Sequence, residues 1–169
     1  MIFLTIGTHE PFDRLIKAVD EWIEQVPQEY EIFAQVVSPP VEAYIPRNFE
    51  MTAHLSPMEY EDRIRQADLI VSHAGMGTIL TAFTYGKPII IMPRRGHFRE
   101  TRNDHQYTTV KNLTKRPGLF VAEDETQFSI VMDKAIKSVT NATPPRLSAV
   151  ADVGFTDALH RFLLSSTKL

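Results

Sequence analysis

Short apolar runs alternate with amphipathic stretches of helical period along most of the chain. The first run, Ile2 to Ile6, is continuous and is closed by Gly7, as expected for a strand that is buried on both faces. The next stretch, Phe12 to Val26, repeats its apolar residues every three or four positions, and Pro27 follows it. Strands joined by helices of this length pair in parallel with right-handed crossovers. The pattern therefore predicts an α/β fold with a doubly wound, Rossmann-like parallel sheet.

The other strands and helices are predicted from the same two patterns, the short apolar run and the helical repeat. Further strands are predicted at Ile32 to Val37, Phe49 to Leu55, Asp68 to Ser72, Pro88 to Met92 and Gly118 to Ala122. The run Phe49 to Leu55 is the weakest of them, because it is short and half polar. Ser56, Pro57 and Glu59 have the spacing of a capping box and predict a helix that ends near Ala67. Further helices are predicted at Gly77 to Tyr85, capped by Gly86, at Asn103 to Thr114 and at Glu125 to Val139.

The chain divides into one domain and a C-terminal extension. Its 169 residues suffice for a single domain with its own core, which we assign to residues 1–139. Residues 140–154 include Pro144 and Pro145 and are predicted to form an irregular linker. Residues 155–169 are predicted to contain a short helix that is apolar on one side. That helix is expected either to dock on a partner or to pack back onto its own domain.

Composition excludes several classes of function. Eighteen basic and twenty-one acidic side chains give a net charge of −3, so electrostatics provide no case for nucleic-acid binding. The absence of cysteine excludes disulfides and thiol catalysis, and the six histidines lack the short spacing of metal ligands, so no metal is expected. No apolar run approaches the ~20 residues of a membrane span, and the N-terminus lacks a signal-peptide pattern. A cytoplasmic protein is expected.

The loop after the fourth strand, within Ser72 to Thr78, has the features of an anion site. Ligands of open parallel sheets bind beyond the carboxyl ends of the strands, where the strand order reverses. Gly75 and Gly77 permit close approach of a ligand, and the helix that starts there offers unpaired N–H groups suited to a diphosphate. The same glycines would also serve a plain strand-to-helix turn, and their spacing does not decide between the two.

The loops after the first and fifth strands narrow the choice of ligand. The first loop, Gly7 to Asp13, has one glycine, and the second strand ends at Gln35 and Val36 without an acidic residue. An NAD or FAD site is therefore not expected. The loop after the fifth strand is suited to phosphate, because it holds four arginines within nine residues: Arg94, Arg95, Arg99 and Arg102. The alternative is a solvated loop in which one or two of them pair with surface carboxylates.

Several segments occur together in a specific order. They are Met1 to Leu15, Ala67 to Leu80 and Gly86 to Arg95, followed by Asp104, His105 and Gln106. Over roughly residues 1–137 the chain resembles the C-terminal domain of family 28 glycosyltransferases, and its stand-alone donor-binding subunits in particular.

The resemblance implies half of a GT-B glycosyltransferase. The activity it implies is the transfer of a hexose-type sugar, with inversion, from a UDP-sugar to a lipid-linked saccharide acceptor, without a metal cofactor. It also implies a membrane-anchored subunit that binds the acceptor and holds this chain at the inner face of the membrane.

The resemblance also implies roles for individual residues. The donor diphosphate would face Gly75, Met76, Gly77 and Thr78, beside His73. The nucleoside would be flanked by Pro93, Arg94 and Arg95, and the sugar or ribose would contact Asp104, His105 and Gln106. Gly7, Thr8 and His9 would face the cleft between the subunits, with His9 as the candidate base for the acceptor hydroxyl unless the partner supplies that base.

One position departs from the family pattern. The family typically has a glutamate in the helix after the glycine turn, where its carboxylate holds the ribose diol, and this chain has Thr81 there. The replacement removes a charge-assisted hydrogen bond of about 1.5–3 kcal/mol. Two alternatives to a transferase stay open. One is a noncatalytic nucleotide-sugar-binding or scaffold subunit that stabilises a glycosyltransferase partner, and the other is a sugar-nucleotide epimerase, which shares the GT-B fold.

Overall fold

The computed structural model describes residues 1–8, 10–26, 30–37, 43–113 and 116–139. Its strands are β1 (Ile2–Thr5), β2 (Ile32–Gln35), β3 (Met51–Thr52), β4 (Leu69–His73), β5 (Ile89–Met92) and β6 (Leu119–Val121). Its helices are α1 (Asp13–Gln25), α2 (Pro57–Gln66), α3 (Met76–Thr84), α4 (His105–Leu113) and α5 (Glu125–Val139). A turn of 3-10 helix covers Gly96–Phe98.

The strands form one parallel sheet in the order β3-β2-β1-β4-β5-β6. The strand order reverses between β1 and β4, where Leu4 is in register with Val71. The carboxyl ends of these two neighbouring strands therefore meet at the edge where ligands of doubly wound sheets bind. The predicted α/β fold with a Rossmann-like parallel sheet is confirmed.

Alternate residues of the central strands enter two separate apolar cores. Leu4 of β1 packs with Trp22 of α1 and Phe128 of α5 on one face of the sheet. Its neighbour Phe3 packs on the other face, in the cluster that contains Ile64 of α2 and Ile79 of α3. Burial on both faces explains why the strands have continuous apolar runs instead of alternating polar residues.

Local signals at the helix ends also agree with the structure. The backbone N–H of Ser56 donates to Glu59 Oε2 at 2.7 Å, and the Glu59 N–H donates to Ser56 Oγ at 3.2 Å. The predicted capping box of α2 is therefore confirmed. Gly86 follows α3 with a φ of 63°, which confirms it as a left-handed C-terminal cap.

The third strand is shorter than predicted. Only Met51–Thr52 pair with β2, although the sequence pattern extends from Phe49 to Leu55. The preceding loop is instead held by the buried carboxylate of Asp20 in α1. That carboxylate accepts hydrogen bonds from the Tyr44 hydroxyl at 2.7 Å and from the Asn48 N–H at 3.0 Å. A long-range polar anchor of this kind leaves no trace in local periodicity.

The C-terminal predictions lie outside the described residues. The linker at residues 140–154 and the amphipathic helix at residues 155–169 belong to this part of the chain. Among the helices that the structure describes, none combines the length and the apolar character that crossing a membrane requires.

Candidate functional site

Two cavities lie at the carboxyl ends of β1 and β4. The larger has a volume of about 650 Å³ and opens between the start of α2 and the exposed face of α3. The smaller, of about 250 Å³, lies toward the loop that follows β5. Gly7 and Thr8 line both cavities. The two predicted residues from the first loop therefore stand at the boundary between two adjoining spaces.

Gly7 and Gly75 are both required by the packing of the His73 ring. Gly7 has a φ of 79°, and a Cβ there would lie 3.2 Å from His73 Cε1. A Cβ on Gly75 would lie 2.2 Å from His73 Nε2, which no real side chain tolerates. The ring is thus held between the turns that follow β1 and β4. These two glycines have a structural reason to be glycine.

Gly77 differs from Gly75, because no atom lies within 4 Å of a Cβ built on it. Gly77 belongs to the first turn of α3. The N-cap residue of this helix is Gly75, which has no side chain that could cap it. Within the described residues, the N–H groups of Met76, Gly77 and Thr78 donate to no protein acceptor. Exposed N–H groups and the positive end of the helix dipole are features that favour an anion at this position.

The floor of the larger cavity is built by Gln35 at the end of β2. Its amide oxygen accepts from the Thr5 hydroxyl at 2.7 Å. Its amide nitrogen donates to the carbonyl of Gly7 at 3.2 Å and to that of Ala53 at 3.3 Å. The residue that ends β2 therefore connects the loops that follow β1 and β3.

The walls of the larger cavity combine apolar surface with hydroxyl groups. They come from the segment before and within α2 and from one face of α3. Those walls include His54, Leu55, Pro57, Tyr60, Glu61, Thr78, Leu80, Thr81, Thr84 and Tyr85. The Tyr60 hydroxyl donates to Thr78 Oγ1 at 3.2 Å and so connects the two helices. Thr81 donates its own hydroxyl hydrogen to the Gly77 carbonyl at 2.9 Å.

The smaller cavity is bordered by a buried cation, Arg94. Its side chain is only 4% exposed, and its guanidinium donates to the backbone carbonyls of Ile6, Glu10, Pro11 and Glu100 at 2.6–3.0 Å. All four acceptors are neutral. Burial lowers the pKa of Arg94 to about 10, although the nearby Glu100 and Glu10 carboxylates favour its charged form. Arg94 therefore holds the loop after β1 in place and brings a cation to the border of the cavity.

Gln106 is the buried amide of the smaller cavity, with 5% of its surface exposed. Its amide oxygen accepts from the Arg94 backbone N–H at 3.0 Å. Its amide nitrogen has no acceptor among the described residues. Asp104 and His105 are exposed at the start of α4, where Asp104 Oδ1 accepts from the Gly96 N–H at 2.8 Å and His105 Nδ1 contacts the Asn103 amide oxygen.

His73 is held in its neutral form. Burial lowers the pKa of His73 from 6.5 to about 4, and the nearby Arg94 charge adds to this effect. The ring nitrogen Nδ1 lies 3.3 Å from the Ser72 hydroxyl. A neutral imidazole between two glycine turns can donate or accept one hydrogen bond but cannot supply charge to a phosphate.

The arginine cluster separates into different environments. Arg95 is partly buried, lies 3.6 Å from Asp124 and donates to the Glu123 carbonyl at 3.2 Å. Arg99 and Arg102 are exposed. Pro93 is buried, so little of the predicted nucleoside-flanking segment reaches the surface. The expected pairing of some of these arginines with surface carboxylates thus applies to Arg95.

The structure brings most of the predicted residues to one edge of the sheet. His9 lies outside the described residues, so its role as the base stays a prediction. Sequence reasoning missed the α2 side of the larger cavity, where His54, Leu55, Tyr60 and Glu61 lie. No local motif marks these residues, because they reach the site through the packing of α2 against α3. Among the described residues, no group of three or more His, Cys, Asp or Glu could hold a metal ion.

Comparison with known proteins decides the family. The model of the glycosyltransferase family 28 C-terminal domain matches residues 1–151. The chain belongs to this family. This membership confirms the resemblance found in the sequence.

Curated relatives of this family 28 domain include two kinds of transferase. A UDP-N-acetylglucosamine transferase subunit ALG13 from Mus musculus is 29% identical over 124 residues, which are 70% of this chain and 10% of that protein. A UDP-N-acetylglucosamine–N-acetylmuramyl-(pentapeptide) pyrophosphoryl-undecaprenol N-acetylglucosamine transferase from Geobacter sulfurreducens is 34% identical over 91 residues. That match covers 54% of this chain and 24% of the relative. The chain thus spans a quarter or less of these relatives.

Solved structures support the same fold. Acinetobacter baumannii MurG superposes with a TM-score of 0.59 at 17% identity, over 84% of this chain and 46% of that one. The solution structure of ALG13 superposes with a TM-score of 0.52 at 18% identity, over 94% of this chain and 93% of that one. The family 28 domain described here therefore has the architecture of one half of a GT-B glycosyltransferase.

Proposed function

We propose that this chain is the donor-binding catalytic subunit of an inverting glycosyltransferase that uses a UDP-sugar. Its substrates would be a UDP-linked hexose-type sugar and a lipid-linked saccharide acceptor in polysaccharide or glycolipid synthesis. The observation that carries the proposal is the open N-terminus of α3. Gly77 has free space in front of it, and the neighbouring N–H groups lack protein acceptors. One relative named above is a subunit of a UDP-N-acetylglucosamine transferase, and the other is an N-acetylglucosamine transferase whose name includes UDP-N-acetylglucosamine and a pyrophosphoryl-undecaprenol compound, which supports the same substrate class.

The larger cavity fits the nucleoside. Its volume of about 650 Å³ is in the range of small-molecule sites, and Leu55, Pro57 and Leu80 provide apolar surface for a base. The hydroxyl groups of Thr81 and Thr84 face the same space. This assignment moves the nucleoside away from Pro93, Arg94 and Arg95, which the family resemblance implies as its neighbours, because Pro93 and Arg94 are buried.

The diphosphate would then lie against the first turn of α3, between the two cavities. The N–H groups of Met76, Gly77 and Thr78 would bind its oxygens, and the buried Arg94 would stabilise its charge through space. These preorganised dipoles act where negative charge develops on the departing UDP. The proposed mechanism therefore involves no divalent cation.

The sugar would occupy the smaller cavity. The free amide nitrogen of Gln106 would donate to a sugar hydroxyl, and neutral His73 would form one hydrogen bond near the diphosphate. Asp104 and His105 at the start of α4 would border this space. An acceptor hydroxyl, deprotonated by His9 or by a base of the partner, would attack the anomeric carbon from the face opposite to the leaving UDP.

The acceptor side of the site would come from a second polypeptide. The described domain corresponds to one half of a GT-B fold, and both cavities open at the edge of its sheet. We infer a membrane-anchored, acceptor-binding subunit that closes over the donor, excludes water and keeps this chain peripheral at the cytoplasmic face of the membrane. Residues 155–169 of this chain would supply the helix that docks on that subunit.

Calorimetric titration of the isolated chain tests the donor site directly. UDP and a panel of UDP-sugars are expected to bind, and Gly77→Ala is expected to weaken binding at least about tenfold by inserting a methyl group into the phosphate space. Inorganic phosphate and dTDP serve as comparison ligands. Binding of UDP that is indifferent to Gly77→Ala would contradict a diphosphate site at α3.

A second candidate is a noncatalytic nucleotide-sugar-binding subunit that stabilises a transferase partner. Thr81 favours it, because its hydroxyl hydrogen is already donated to the Gly77 carbonyl and the residue offers no carboxylate. Sugar transfer by the reconstituted pair, with Thr81→Glu beside the native chain, separates the two functions. Activity of the native pair supports the enzyme, whereas activity restricted to Thr81→Glu supports the scaffold.

A further inference from the structure

Glu61 is the acidic side chain that lines the larger cavity in the described part of the chain. It lies on α2, on the wall opposite α3, whereas the other lining side chains near it are neutral: Thr81, Thr84 and Tyr85. Its side chain is 44% exposed, and the open part of its surface includes that of the cavity. A carboxylate therefore faces a space that otherwise presents hydroxyl groups and apolar carbon.

One oxygen of this carboxylate is fixed and the other is free. Oε1 accepts from Arg65 Nη2 at 2.7 Å and also from the Tyr85 hydroxyl, in a close contact between α2 and α3. Arg65 in turn lies over the Tyr85 ring at 5.1 Å. Oε2 has no partner among the described residues. The group is thus oriented by its neighbours while half of its acceptor capacity remains available to a ligand.

The Tyr85 and Arg65 contacts also keep Glu61 ionised. The hydrogen bond from Tyr85, followed by that from Arg65, lowers the pKa of Glu61 below its ordinary value. An ionised carboxylate accepts hydrogen bonds only, and those it accepts from hydroxyl groups are short and strong. A surface ion pair between residues four apart has little value for stability, so the contact with Arg65 alone does not account for the arrangement.

Thr81 lies one helical turn before Tyr85 on α3, and both residues line the cavity. Because the Tyr85 hydroxyl contacts Glu61, the carboxylate borders the same part of the cavity wall as Tyr85, and the Thr81 hydroxyl lines that cavity too. Thr81 can accept one hydrogen bond through its lone pairs but has already donated its hydrogen to Gly77. A charged acceptor for a diol is therefore available from α2 and not from α3.

We propose that Glu61 binds the vicinal 2′ and 3′ hydroxyls of the donor ribose and makes the site selective for ribonucleotides over deoxyribonucleotides. The proposal rests on the proposed donor site and assigns its ribose contact to a residue of α2. The free Oε2 accepts from one ribose hydroxyl, and a remaining lone pair of the carboxylate accepts from the other. The Tyr85 hydroxyl and Arg65 act as positioning groups for the carboxylate.

The test compares UDP with 2′-deoxy-UDP on the full chain by calorimetry. The native chain is expected to bind UDP about tenfold or more tightly than 2′-deoxy-UDP, as a hydrogen bond to a charged group predicts. Glu61→Gln keeps an amide oxygen for Tyr85 and Arg65 but removes the charge, and it is expected to reduce that ratio toward one. Glu21→Gln on α1 removes the same charge far from the cavity, where Glu21 pairs with Lys17, and is expected to leave the ratio unchanged.

The outcomes separate this inference from the proposed function. A ratio that falls in Glu61→Gln but not in Glu21→Gln supports the ribose contact. UDP binding with the same ratio in all three proteins overturns the role of Glu61 and leaves the donor site intact. No UDP binding by the native chain overturns the proposed function together with this inference. Thermal unfolding is the control for the fold. If Glu61→Gln unfolds at the same temperature as the native chain, a changed affinity ratio does not come from a damaged fold.

Discussion

The imidazole of His73 lies directly against the backbone of Gly75, so that a Cβ on Gly75 would come within 2.2 Å of His73 Nε2. The strand end and the helix start are thereby locked together around one neutral ring. Two residues further, Gly77 faces open space. Glycine is therefore present at these two positions for different physical reasons. At Gly75 the packing of His73 leaves no room for a side chain, whereas at Gly77 the missing side chain keeps the helix N-terminus accessible.

Alanine substitutions at these glycines are expected to act on different properties. Gly75→Ala forces the His73 ring or the turn to move and should lower the free energy of unfolding by about 1–3 kcal/mol, as overpacking does. Gly77→Ala meets no atom and should leave stability unchanged or raise it by up to about 1 kcal/mol, because alanine favours a helix more than glycine does. Urea denaturation measures both effects, and a large loss of stability in Gly77→Ala would contradict the assignment.

The pH dependence of stability is expected to depend on His73. Its pKa is lowered in the folded chain from 6.5 to about 4, chiefly by burial, so the unfolded chain binds the proton more tightly. The stability contributed by the neutral ring is present above pH 6.5 and is lost as pH falls toward 4. His73→Gln should reduce the fall in unfolding free energy over this range by about 2–3 kcal/mol. His97→Gln, at an exposed histidine, is the control and should reproduce the native slope.

Arg94 is expected to be intolerant of conservative replacement. Arg94→Lys leaves a single ammonium group in place of a planar fork that reaches four carbonyls, among them those of Ile6 and Glu10. The free energy of unfolding should fall by about 2 kcal/mol or more, since buried acceptors lose their donors. UDP affinity should fall as well, because the loop that borders both cavities loses its anchor. Arg102→Lys, on the exposed part of the same loop, should change neither quantity.

Asp20 is expected to stabilise the fold without affecting the donor site. Burial alone would raise the pKa of Asp20, but hydrogen bonds from Tyr44, Arg47 and Asn48 outweigh it and hold that pKa below its ordinary value. Asp20→Ala should lower the free energy of unfolding at neutral pH by about 2–4 kcal/mol, because those donors lose a charged acceptor. The difference should shrink in acid, where the native carboxyl becomes protonated. Calorimetry with UDP should give the native affinity, and a weakened affinity would contradict the separation of this anchor from the site.

Several features of the fold and site follow from short sequence patterns. Short continuous apolar runs located the strands, the repeat of apolar residues every three or four positions located the helices, and Ser56 with Glu59 located the start of α2. These signals are local, because capping bonds and burial of a helix face involve residues a few positions apart. The glycine turn at Gly75 and Gly77 was recognised in the same way, although its spacing could not separate packing from binding.

Other features could not be derived from the sequence. The sequence suggested Arg94 as a phosphate or nucleoside ligand and did not single out Glu61. Only the fold shows that Arg94 is buried among carbonyls and that Glu61 borders a cavity. The edge strand β3 covers only Met51–Thr52 and is shorter than predicted, and the loop before it is anchored by Asp20 of α1. Contacts between residues so far apart in sequence have no periodic signature.

By itself, the sequence determined the alternation of strands and helices, the parallel sheet and the edge at which a ligand would bind. These properties depend on which residues are apolar, on their period and on a few turn residues. Only the tertiary structure decided that His73 is neutral, that Gly77 opens onto free space and that Glu61 faces the cavity beside α3. The reason is that charge state and access depend on which groups surround an atom in space, and chain folding brings those groups together from α2, α3 and the loops after β1 and β5.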